Sequence, residues 1–177
     1  MKVARIITTY KCPKDCKDCC NKNWKGIPAK VMDNYDYDMF LITGGEPMLF
    51  PNKVRNLILS LMKENANAKI IMYTASTKKL SELLMLTSFY LDGLTITLHD
   101  NKDTKSFIKF NEKILNLAKN GWKDTIYSKS LRLNIFKEVK IPKDTDLSMW
   151  KIKSDMVWLK DCPLPEGEEL LKLKELW

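Results

Sequence analysis

The sequence predicts an α/β chain built around a parallel sheet. Three observations predict it. Short β-branched or apolar runs recur along residues 3–136, amphipathic helical patterns fill the gaps between them, and the polar, Gly- and Pro-bearing segments fall where one pattern ends. At 177 residues the chain is long enough for one domain. We read residues 1–136 as a core of βα units and 137–177 as a short C-terminal closing segment.

The elements follow in order. Val3–Thr9 is β-branched and apolar, so it reads as a strand. Tyr37–Thr43 is a second, ending at Gly44-Gly45. Lys69–Thr74, Gly93–Leu98 and Leu131–Phe136 are further strands, and Asp155–Leu159 is a sixth candidate. Asn52–Glu64 places Val54, Leu57, Ile58 and Leu61 at helical spacing. Thr77–Phe89 does so with Leu80, Leu83 and Leu84, and Thr104–Asn120 with Phe107, Ile108, Ile114 and Leu115. Lys140–Leu147, broken by Pro142, reads as a loop, as does Pro163–Gly167. Glu168–Trp177, with Leu170, Leu171, Leu173 and Leu176, reads as a closing helix. Trp150, Trp158 and Trp177 are expected to pack the C-terminal segment over the open side of the core.

Composition excludes several classes. Hydrophobic residues make up 45% and charged residues 29%, too apolar for a disordered chain. Six Gly and seven Pro exclude collagen-like and low-complexity sequence. No apolar run reaches the ~18 residues of a membrane helix, so no membrane partner is expected. Met1–Ile7 lacks the apolar stretch of a secretion signal, and the expected compartment is the cytoplasm.

The cysteines carry the chemistry. Cys12, Cys16, Cys19 and Cys20 cluster, while Cys162 stands apart. In a reducing compartment such a cluster reads as metal ligation or redox chemistry. Zinc prefers four Cys or His ligands, and the chain has one histidine, His99, and no second cysteine pair. Three thiolates on one loop instead suit a cubic iron–sulfur cluster with one iron left open. Cys20 and Cys162 are read as packing residues. A second motif, Gly44-Gly45-Glu46-Pro47, ends a predicted strand. Its glycines permit close backbone approach, Glu46 offers a carboxylate to an ammonium group, and Pro47 suits a first helical turn.

Together these motifs resemble the radical S-adenosylmethionine (SAM) family. Cys12, Cys16 and Cys19 match its Cys-x3-Cys-x2-Cys signature, and Gly44–Pro47 its Gly-Gly-Glu-Pro motif. The resemblance implies a partial (β/α)6 barrel. It also implies a 4Fe–4S cluster on the three cysteines and SAM held by its amino and carboxylate groups at the open iron. Gly44, Gly45, Glu46 and Pro47 then bind the methionine amino group. Thr97, His99, Arg132 and Asn134, with Asp100 nearby, are the strand-end positions that in this family meet the SAM ribose or carboxylate. Asp18 stands where an aromatic residue usually precedes the third cysteine, and Asn21 follows Cys19 by two as is common in the family.

The implied activity is reductive cleavage of SAM to methionine and a 5′-deoxyadenosyl radical that abstracts hydrogen from a substrate. A macromolecular substrate, as for a glycyl-radical activating enzyme, ranks first by size. Modification of a peptide, an RNA nucleotide or a small molecule such as a deazaguanine precursor follows. The rival from another class is a non-catalytic metal-cluster module that binds nucleic acid. The excess of 30 Lys+Arg over 22 Asp+Glu gives +8 and invites that reading, but the lysines are dispersed. The local group Lys11, Lys14, Lys17, Lys22 and Lys25 suits an anionic substrate or an acidic electron donor such as flavodoxin.

Overall fold

The computed structural model describes residues 1–16, 18–27, 29–159 and 162–177. In chain order the elements are β1 (Val3–Ile7), α1 (Cys20–Lys25), β2 (Lys30–Val31), β3 (Met39–Thr43), a 3₁₀ turn (Pro47–Leu49), α2 (Pro51–Glu64) and β4 (Lys69–Thr74). There follow α3 (Leu80–Phe89), β5 (Gly93–Leu98), α4 (Asn101–Leu117), a kinked segment (Ala118–Trp122) with non-helical backbone at Asn120 and Gly121, α5 (Lys123–Tyr127), β6 (Ser130–Phe136), β7 (Lys151–Met156) and β8 (Glu168–Lys172). The chain is thus α/β with a single parallel sheet of eight strands, ordered β2-β8-β1-β3-β4-β5-β6-β7. Two compact units make it up: Met1–Met72 with Trp158–Trp177, and Tyr73–Val157.

In the first unit β1 lies between β3 and β8, with Val3 opposite Met39 on one side and Glu168 on the other. Every residue of β1 is buried, as a strand covered on both faces requires. Arg5 is therefore buried too, and a buried charge needs a partner. Glu168 supplies it: Arg5 Nε donates to its carboxylate at 2.5 Å, and the guanidinium stacks 5.6 Å from the Trp24 ring. On α2, Val54, Ile58 and Leu61 form the buried face, and Pro51 opens the helix where its missing N–H costs nothing. Each such side chain contributes roughly 1.5–3 kcal/mol.

In the second unit β5, β6 and β7 pair in parallel. The core gathers Leu94, Ile96, Leu133, Phe107, Phe110 and Ile114, all fully buried. Asp100 caps α4: its carboxylate accepts from Lys102 N–H at 2.7 Å, and Asp103 reaches back in a capping box. Trp150 is buried edge-on against Phe107, and its Nε1–H donates to Asn111 Oδ1 at 2.8 Å.

Lys69–Thr74 and Gly93–Leu98 are strands over the expected residues. Three expectations are corrected. Glu168–Trp177 is not a helix; Glu168–Lys172 is β8, because β1 would otherwise expose a parallel edge on that side. The sixth strand lies earlier than Asp155–Leu159, at Lys151–Met156, where every residue but Met156 is exposed. Trp150 does not cover an open side; it belongs to the core beside α4. No helix is long and apolar enough to cross a membrane among the described residues.

Candidate metal and cofactor site

Within the first unit, the cysteine-bearing loop after β1 and the turn after β3 are sewn together by backbone. Thr8 N–H donates to Thr43 C=O at 3.0 Å, Gly45 N–H to Thr9 C=O at 2.5 Å, and Glu46 N–H to Lys11 C=O at 2.9 Å. Parallel neighbours β1 and β3 end side by side, so both loops leave the same edge. The glycines are what allow the fit. Gly44 has φ +119°, a left-handed value that suits glycine, and a Cβ there would lie 2.5 Å from the Thr9 carbonyl oxygen. A Cβ at Gly45 would collide with the carbonyl of Lys11. The close approach these residues permit is thus to the cysteine loop itself.

Glu46 is 2% exposed, and its Oε1 accepts from Met48 N–H at 2.9 Å, capping the 3₁₀ turn that Pro47 begins. Cys12, Cys16 and Cys19 take no part in a disulfide, and each is half-buried. Burial pushes the Cys12 thiol up; the Lys14 backbone opposes this, and the negative charges of Glu46 and Cys19 add to it. Cys12 thus stays a thiol at neutral pH until something cationic displaces its proton. Asn21 is buried; its amide donates to Tyr10 C=O at 3.0 Å while its Oδ1 has no hydrogen-bond partner among the described residues.

Three soft sulfurs on one loop are the donor chemistry that an iron–sulfur cluster takes. The side chains do not already converge, for among the described residues no three His, Cys, Asp or Glu groups are placed to hold a metal ion.

Cys20 and Cys162 pack against the cluster of Ile7, Trp24 and Leu170, as expected of packing residues, and a disulfide across 142 residues also joins them. The expectation of a reducing compartment had set that pairing aside. β8, following Cys162, lies beside β1, and α1 begins at Cys20, so the two chain segments meet. Trp24 and Ile7 pack at the same place, and Trp24 Nε1–H donates to Cys162 C=O at 3.3 Å. Trp177 closes the loop from another side: its N–H donates to Thr8 C=O at 2.9 Å, and its own C=O accepts from Thr9 Oγ1 at 2.6 Å.

Of the local basic group, Lys22 pairs with Asp15 at 2.6 Å and Lys11 lies 5.5 Å from the Phe50 ring; Lys17 falls outside the described residues. The Asp15 contact raises the Lys22 ammonium, with Cys19 and Cys16 adding to it.

The remaining expected positions lie in the second unit. Asn134 amide donates to Thr97 Oγ1 at 3.4 Å. The His99 ring packs edge-on to Phe136 at 5.0 Å, and its backbone N–H donates to Asp103. Asp100 is the helix cap already described. Arg132 and Asn134 line a cavity with Tyr73, Thr95, Lys151 and Lys153. The last three went unread in the sequence; the signal that finds them is strand register, which period-2 reading of an isolated strand does not supply. No family model matches the chain, and no curated protein matches it.

Proposed function

We propose that the chain is a radical SAM enzyme whose 4Fe–4S cluster is held by Cys12, Cys16 and Cys19, on a partial (β/α)6 barrel. The observation that carries the reading is the backbone junction of the three-thiol loop with the Gly44–Pro47 turn. Two motifs 25 or more residues apart in sequence are joined by the Gly45–Thr9 and Glu46–Lys11 hydrogen bonds.

When bound, the cluster supplies the electron that cleaves SAM to methionine and a 5′-deoxyadenosyl radical. The chain's own residues do the rest. The three cysteines give up their protons and anchor the loop. Glu46 presents a buried carboxylate, already oriented by Met48 N–H, to the methionine ammonium. Gly44 and Gly45 keep that turn against the loop, so the carboxylate and the thiols stay in fixed register. Asn21 offers its unpartnered Oδ1 to a donor within the loop.

The test is anaerobic reconstitution with iron and sulfide, followed by dithionite and SAM. Wild-type chain is expected to be brown and to release 5′-deoxyadenosine. Cys12→Ala, Cys16→Ala and Cys19→Ala each lose both properties, whereas Cys162→Ala keeps them. Colourless protein holding zinc, or a Cys12→Ala variant that still cleaves SAM, overturns the reading.

A further inference from the structure

The unit Tyr73–Val157 carries a group of cations, Arg132, Lys151 and Lys153, of which the family resemblance reads Arg132 alone, as a SAM contact, and leaves both lysines unused. Strand register sets Thr95, Arg132 and Lys151 in one row and Thr97, Asn134 and Lys153 in the next. Register partners in a parallel sheet face the same side. Thr95, Arg132, Asn134, Lys151 and Lys153 accordingly line one cavity of about 310 Å³. Three cations border it and no carboxylate does. Among the described residues, Arg132, Lys151 and Lys153 make no ion pair. Asp155, the one acid of β7, does not line the cavity and accepts from Ser154 Oγ at 2.9 Å.

A second observation points the same way. Thr95 is 2% exposed and its Oγ1 has no hydrogen-bond partner among the described residues. A buried hydroxyl left so is destabilising, because it has given up water and gained no partner in exchange. Like charges side by side on one sheet face also repel. Lysines on an edge strand discourage strand addition, which accounts for Lys151 and Lys153. It does not account for Arg132 one strand further in, nor for Thr95.

We propose that this cavity binds an oxyanion, the phosphate or carboxylate of a small acidic molecule. Arg132 supplies a planar fork of donors, Lys151 and Lys153 supply mobile point charges, and Thr95 and Asn134 supply neutral donors. The positive charge concentrated there draws the anion in and is relieved by it. The site belongs to this unit alone and stands whether or not the chain binds a cluster.

The experiment is calorimetric titration of the full chain with sodium pyrophosphate and, separately, with citrate. Saturable one-to-one binding that weakens with added salt is expected; the tighter probe identifies phosphate or carboxylate as the preferred group. Arg132→Gln, and the double variant Lys151→Gln/Lys153→Gln, weaken it at least ~10-fold. Lys63→Gln/Lys69→Gln makes the same change in net charge on exposed residues elsewhere and leaves binding unchanged. All these positions are exposed, and a thermal melt of each variant confirms folding. Absence of saturable heat with both probes overturns the proposal, and so does equal weakening in the Lys63/Lys69 control. Binding of a single-stranded oligonucleotide that neither probe displaces overturns it in favour of a nucleic-acid surface.

Discussion

The two compact units hold together across very different stretches of chain. In the unit Met1–Met72 with Trp158–Trp177, the polar ties span most of the sequence. Arg5 reaches Glu168 over 163 residues, Thr9 reaches Trp177 over 168, Tyr37 reaches Glu169 over 132, and the disulfide closes 142. In the unit Tyr73–Val157, Thr77 meets Ser106 over 29 residues and Trp150 meets Asn111 over 39. The first unit is therefore complete only when the C-terminal segment arrives. Loop-closure entropy makes such pairing slow and late, while the second unit's neighbours along the chain meet early. The three thiols lie in the unit whose ties span the most chain.

The largest expected effect tests whether the thiol loop and the Gly44–Pro47 turn are one object. Gly45→Ala forces a methyl into the Lys11 carbonyl, with backbone on both sides and no side chain to yield. Such overpacking costs about 3–4 kcal/mol, at the high end for one added carbon. Urea unfolding measures it. A loss below about 1 kcal/mol would mean that the loop simply moves aside, and the junction would then not fix the register of Glu46 and the thiols.

Next in size is the disulfide. Cys162→Ser is expected to cost about 2–4 kcal/mol, because a closed loop restricts the unfolded chain. Cys20→Ser costs the same, the double variant no more, and a dithiol reductant reproduces the loss in wild-type protein. Hydrogen exchange sharpens the contrast between units: protection falls in α1 and β8 and holds in β5 and β6. Equal loss in β5 and β6 would break the distinction drawn from contact span.

That distinction also explains how far the sequence could be read. Strands β3 to β6 and helices α2 to α4 were legible because each announces itself locally: Ile70, Ile71 and Met72 as one buried run, Val54, Ile58 and Leu61 on one helical face. Glu168–Lys172 was not. Glu-Glu-Leu-Leu-Lys has helix-forming residues, and its strand identity comes from β1 and β2 on either side. Both Leu170 and Leu171 are buried, as adjacent residues are in a strand covered on two faces. Cys20 and Cys162 were readable as packing residues, but the bond between them was not, since it depends on the β1–β8 pairing. Of the candidate site, the cysteine spacing and the Gly-Gly-Glu-Pro run were readable as motifs. Their backbone junction needed the structure, as did the Thr95–Arg132–Lys151 row, which only register assembles.

The smallest effect is a pH signature confined to one of the long ties. Tyr37 Oη–H donates to Glu169 Oε2 at 2.7 Å. Burial pushes the Tyr37 hydroxyl from its ordinary 10.0 up to about 12, and the Glu169 carboxylate it donates to adds to the shift. A pKa raised on folding stabilises fully below the unfolded value. This contribution is therefore intact below pH 10 and is lost as pH climbs from about 10 through 12. Glu169 runs the other way: the Tyr37 and Lys30 contacts lower its carboxyl, so its contribution is present above the ordinary value of 4.5 and fades as pH falls through the lowered one. Tyr37→Phe removes one donor but leaves Lys30 on the carboxylate, so it costs about 1 kcal/mol near neutrality. The stability difference between wild type and variant, measured by urea melts across pH, should shrink between pH 10 and 12 and shrink again on the acid side. A difference that stays flat over the alkaline range would mean that the phenol ionises as freely in the folded unit as in the unfolded chain. The Tyr37–Glu169 contact would then be no part of what ties the C-terminal segment to the first half of the unit.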